Sequence, residues 1–220
     1  ARERKQTGDT KINEKTTKQI EEMMNQTIGV EVEMNNITRT KAAELAAEFF
    51  GTGRHEHTAG RNGYDTYSAW DGEGREWKFQ KDVSIHGPDS EKCELVTPIL
   101  TYTDMETLQE LIRRLRKAGA KSDATRGCGV HIHIGAKGHT PQSLRNLANI
   151  MASHESLLAS ALNLDRSRMN RYCRTVSKDF LVELNRKKPK TMAALADTWY
   201  GSQNADYGRS AHYNESRYHM

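Results

Sequence analysis

The 220-residue sequence predicts an α+β fold, a mainly antiparallel sheet with flanking helices. Three observations carry that expectation. Short stretches alternating apolar and polar residues recur between stretches of helical spacing, in the order strand, helix, hairpin, strand, helix, strand, helix. Two of the strands set a pair of metal-ligand residue types around one apolar residue, Glu31-Val32-Glu33 and His131-Ile132-His133. The two best helical stripes have polar openings and glycine stops.

Taken in chain order, Ala1 to Gln26 is charged, with few large apolar residues before Ile20, Met23 and Met24, and reads as a polar N-terminal tail ending in a short helix. Thr27 to Met34 alternates apolar and acidic residues, a strand. From Thr38 to Phe50, Ala42, Leu45, Ala46 and Phe49 recur at helical spacing until Gly51, a natural C′ residue. Residues 51–63 read as a loop, so His55-Glu56-His57 is assigned to surface and not to a second metal site. Tyr64, Tyr67 and Trp70, a turn at Asp71-Gly72, and Trp77 with Phe79 make a hairpin with an aromatic face, which Asp82-Val83-Ser84 extends. Cys93 to Val96 is a strand cut off before Pro98.

Thr103-Asp104-Met105-Glu106 has the capping-box pattern and opens a helix through Leu108, Leu111, Ile112 and Leu115 to Gly119. Gly127 to Gly135 holds the histidine pair on a strand between glycines that allow close backbone approach. Thr140-Pro141 opens a helix whose Leu and Met stripe, Leu144 to Leu162, is assigned to the core. Periodicity weakens beyond Asp165, where Arg166, Arg168, Arg171 and Arg174 read as a solvated basic face.

Composition narrows the function classes. A chain of this length buries a substantial core, and a single one is expected for 27–220. The net charge of +4 favours anionic ligands but is too small to argue for nucleic acid. Cys93, Cys128 and Cys173 are odd in number and widely spaced, which points to reduced thiols and a cytoplasmic setting. No stretch is apolar enough for a signal peptide or membrane span.

The chemistry lies in the alternation. Two carboxylates ~6.6 Å apart on one strand face repel by roughly 2.5 kcal/mol at an effective dielectric of ~20, and a bound dication reverses that sign. Glu94 adds a third acid on an otherwise apolar strand, where a carboxylate needs a partner. Lys78 and Asp82 lie on the polar side of the hairpin strand. Three carboxylates with two imidazoles suit one or two divalent ions, and the oxygen-rich set favours magnesium or manganese with a nucleotide.

These residues resemble the amidoligases of the glutamine synthetase and glutamate-cysteine ligase superfamily. The resemblance runs through Ile28-Gly29-Val30-Glu31-Val32-Glu33, Trp77-Lys78-Phe79 with Asp82-Val83-Ser84, Glu94-Leu95-Val96-Thr97-Pro98-Ile99-Leu100, and Cys128-Gly129-Val130-His131-Ile132-His133. It covers most of Thr27 to Asp165. The resemblance implies a glutamine synthetase-like, strand-built site that binds ATP with magnesium or manganese and joins a carboxylate to an amine through an acyl phosphate. It implies Glu31, Glu33, Glu94 and His131 as metal ligands, with His133 near the nucleotide phosphates. On the polar strand face Lys78 is read as neutralising a nucleotide phosphate, and Lys78, Asp82 and Arg217 as the catalytic groups, Arg217 as a substrate or phosphate contact. Small molecules, peptides or proteins could supply the carboxylate and the amine, and a homo-oligomer stays open. The family's last strand, with Glu-Phe-Arg after an Arg-Tyr segment, has no counterpart after Arg217-Tyr218-His219, so the catalytic domain is expected to be C-terminally incomplete and inactive alone. Two other readings stay open: a zinc or iron enzyme built on the histidine pair, and a non-catalytic nucleic-acid- or protein-binding module.

Overall fold

The computed structural model describes residues 14–60, 64–171 and 175–200. Residues 1–13 of the expected tail, Cys173, Arg174 and Arg217 lie outside these. The chain divides into two compact units, Ala1–Gly135 and Ala136–Met220.

The first unit is an α+β layer structure. Its strands are β1 (Ile28–Met34), β2 (His55–Ala59), β3 (Thr66–Trp70), β4 (Glu76–Gln80), β5 (Cys93–Val96) and β6 (Val130–Ile134). They form one antiparallel sheet in the order β2-β3-β4-β5-β1-β6. Helix α1 (Glu14–Met24) precedes the sheet, α2 (Arg39–Phe49) follows β1, and α3 (Met105–Lys117) follows β5. Val30, Val32, Met34, Trp77, Phe79, Cys93 and Leu95 meet Ala42, Ala43, Ala46 and Ala47 of α2 and Leu108, Leu111 and Leu115 of α3 in one core. The alanine face of α2 lets that helix approach the sheet closely. Thr38 caps α2 by accepting from the Lys41 N–H, and Gly51 leaves it at φ +72°.

The structure corrects several details. His55–Ala59 is not loop but the edge strand β2, paired with β3. Its residues are exposed on both faces, so no apolar alternation betrays it. The capping box belongs to Thr101 and Asp104, and a short 3-10 turn, Tyr102–Asp104, leads into α3. Asp82-Val83-Ser84 leaves the sheet as a turn in which the Asp82 carboxylate accepts from the Ser84 N–H.

The second unit is helical: α4 (Pro141–Ala161), α5 (Arg166–Arg171), α6 (Lys178–Lys187) and α7 (Met192–Tyr200). It has its own core of Ala148, Val176, Phe180, Leu184, Leu195 and Trp199, so the described residues hold two clusters where one was expected. Thr140 and Pro141 do open α4. Most of its predicted core stripe faces outward instead: Ile150, Leu157, Leu158 and Leu162 are exposed, and Ala148 is the buried residue of that helix. Among the described residues no helix is long and apolar enough to cross a membrane.

Candidate metal centre

Strand parity decides which side chains share the sheet face opposite the helices. On β1, Val30, Val32 and Met34 enter the core, so Glu31 and Glu33 point the other way. On β4, Trp77 and Phe79 are core, leaving Lys78 and Gln80 on that polar face; on β5, Glu94 and Val96 join them. Antiparallel register then aligns the rows. Glu31 lies between His131 of β6 and Val96 of β5, Glu33 lies opposite Glu94, and Gln80 lies opposite Glu94 from the other side.

The resulting contacts are specific. Glu31 Oε2 is 2.9 Å from His131 Nδ1, and Glu31 Oε1 is 3.4 Å from His133 Nε2. Glu33, only 4% exposed, accepts from the Gly129 N–H at 2.6 Å and from the Ser84 hydroxyl at 3.4 Å. Glu94, 5% exposed, accepts from the Gln80 amide at 2.9 Å. Two groups of ligand atoms lie within 4.8 Å of one another, Glu31 with Glu94 and His131, and Glu33 with Asp82 and Glu94. Glu94 belongs to both.

That crowding has an electrostatic signature. Burial, foremost, pushes the Glu94 carboxyl up to about 7; the Gln80 hydrogen bond works against the shift, and the negative charges of Glu31, Asp82 and Glu33 add to it. Near neutral pH such a carboxyl divides between its protonated and ionised forms, and a bound cation would favour the ionised one. Among the described residues the two groups combine four carboxylates with one imidazole, a donor set for a hard divalent ion more than for zinc.

Of the residues singled out from sequence, Glu31, Glu33, Asp82, Glu94 and His131 converge, and His133 stands beside Glu31. Asp82, read as a catalytic group, sits among the potential ligands. Lys78 shares the face but is exposed, with its ammonium 3.7 Å from Glu76. A hydroxyl chain continues from Glu76, which accepts from Ser68 at 2.7 Å, to Thr58, 2.7 Å from Ser68. Sequence reasoning missed Gln80 and the Gly129 N–H. Gln80 was accessible by parity, two residues from Lys78 on an alternating strand, whereas the Gly129 contact depends on the loop between α3 and β6.

Comparison with protein-family models finds a match over residues 24–220 to the family described as "Putative amidoligase enzyme". No curated protein and no solved structure matches the chain.

Proposed function

The chain belongs to this amidoligase family, and from that premise we propose that its polar sheet face joins a carboxylate to an amine, driven by ATP. One observation carries the reading: Glu94, buried and shared by both ligand groups, links Glu31 and His131 to Glu33 and Asp82. The oxygen-rich donors fit magnesium or manganese, which Glu31, Glu33, Asp82, Glu94 and His131 would hold. Bound there, the ions would supply positive charge to the polyphosphate and the transferring phosphoryl group.

The protein's own groups then orient and hold. Gln80 fixes the Glu94 carboxylate, Gly129 and Ser84 fix that of Glu33, and Glu31 fixes the His131 ring. Lys78 offers an exposed ammonium on the same face to a phosphate oxygen, and His133 a second contact. Arg217 is assigned a contact to the substrate or to a phosphate. An oxygen of the substrate carboxylate attacks the γ-phosphorus, the bond to ADP breaks, and an acyl phosphate forms. The amine nitrogen attacks the acyl carbon, phosphate leaves with the C–O electron pair, and the amine proton passes to solvent. No protein nucleophile takes part. The Cys93 thiol, on the helix side of β5 and fully buried, is pushed up to about 12 by its burial and stays un-ionised.

Hydroxylamine intercepts an acyl phosphate as a hydroxamate. With the chain extended past Met220 through the family's last strand, MgATP and hydroxylamine, we expect ADP and hydroxamate with at least one of free glutamate, aspartate or a short acidic peptide, both abolished by Glu94→Gln. ADP formed independently of any carboxylate, or undiminished in Glu94→Gln, contradicts the proposal.

A further inference from the structure

The strand carrying His131 and His133 is a sheet edge. Among the described residues β6 pairs with β1 on one side and with no strand on the other. The Glu33 N–H donates to Gly129 O and the Gly135 N–H to Thr27 O, so by the two-residue period 129, 131, 133 and 135 face β1. Val130, Ile132 and Ile134 therefore turn their backbone N–H and C=O groups outward. Their side chains lie on the helix-bearing face, opposite Val32, Val30 and Ile28, yet are 57%, 64% and 52% exposed. Edge strands are ordinarily blunted by charge, proline or cover, and among the described residues this row has no such protection.

A cavity of about 390 Å³ continues that apolar row, since its lining includes Val32, the register partner of Val130, with Met34, Ile112 and Leu115. Arg116 and Lys121 stand on its rim without an ion-pair partner among the described residues. The one acid of the lining, Asp123, is engaged by Arg126 at 2.8 Å.

We propose that β6 receives the carboxylate substrate of the ligase as an added strand: an extended, acidic peptide segment alternating apolar residues with Asp or Glu. The pleat supplies the reason. A strand paired with β6 sends every second side chain toward the apolar row and the cavity, and the others to the face of His131, His133 and Glu31. Apolar residues of the segment cover Val130, Ile132 and Ile134, while its acids stand at the candidate metal centre. A flanking acid meets Arg116 and Lys121, which gives the occupant its sign. The proposal rests on the ligase reading, because only there is a presented carboxylate a substrate.

The test uses the full chain and a fluorescein-labelled short peptide alternating valine and glutamate, followed by fluorescence anisotropy without ATP or metal. Two N-methylated versions of the peptide are compared, each blocking one alternate set of amides. Strand addition uses only one set, so one version should lose at least about tenfold in affinity and the other little. Arg116→Glu and Ile132→Ser, with unchanged circular dichroism, should each weaken binding several-fold, and added salt should weaken it further. Equal behaviour of the two N-methylated peptides, indifference to Arg116→Glu, or self-association of the chain through β6 in sedimentation overturns the proposal. Peptide binding without hydroxamate from any carboxylate sinks the ligase reading and leaves the docking edge. Hydroxamate from free amino acids without peptide binding does the reverse.

Discussion

Glu94 shows how one residue would tie stability to the proposed function. Its carboxyl titrates at about 7 in the folded chain against 4.5 for the free group. The folded state therefore binds the proton more tightly, and the stability this contributes is full below about pH 4.5 and lost as pH rises through about 7, a change of about 3 kcal/mol. In chelator, urea unfolding should show this decline for the natural chain and not for Glu94→Gln; parallel pH profiles would refute the assignment. Manganese affinity should run the opposite way, falling as pH drops below 7, because the ion competes with that proton. Arg39 illustrates a purely structural charge. Its buried guanidinium donates to the carbonyls of Asp65, Asp89 and Lys92 and to the Asp65 carboxylate, joining three segments of the first unit. Replacing it with Met strands these acceptors, and a loss of about 3 kcal/mol in urea unfolding is expected, with manganese affinity retained in the folded fraction.

At the scale of elements, the turn 82–86 and the loop 123–129 brace the candidate metal face; the His86 N–H donates to the Arg126 carbonyl, and Gly127 packs against Ser84. It has φ +71°, and a Cβ there would lie 2.5 Å from the Ser84 carbonyl oxygen. Gly127→Ala should lower stability by about 2 kcal/mol and also weaken manganese binding, since Ser84 and Asp82 must shift. Unchanged calorimetric affinity would show the brace to be irrelevant to the ligands. The elements most legible in sequence were β1, β4 and β5, where alternation with one buried face marks the sheet, α2 and α3, where stripe and cap agree, and β6, whose histidine pair between glycines marked it although its residues are exposed. β2 was hidden because His55, Glu56 and His57 are polar and exposed on both sides. The α4 stripe misled for the converse reason: apolar periodicity shows that a face could be buried, but Leu157 and Leu162 remain exposed. Helices α5 to α7 are short, six to ten residues each, so their periodicity is weak. Within the candidate site the charged ligands stood out, while Gln80, a neutral amide, acquires meaning only from its register with Glu94.

At the scale of the whole molecule, the sheet order assembles the site. Glu31, Glu94 and His131 come from β1, β5 and β6, adjacent in the sheet though distant in sequence, so the ligand set exists only when the first unit is folded. Manganese at a hundred times its dissociation constant should accordingly stabilise that unit by about 2.7 kcal/mol, visible as a rise in melting temperature that chelator reverses. The proposed ligase chemistry would require nucleotide as well as metal on the same face. The most direct measurement is calorimetric titration of ATP into the full chain with saturating magnesium, repeated with Glu94→Gln. The proposed function predicts stoichiometric, magnesium-dependent binding to the natural chain and a loss of at least about tenfold in the variant. ATP binding that ignores magnesium and Glu94, or a folded chain that binds no ATP, would contradict it.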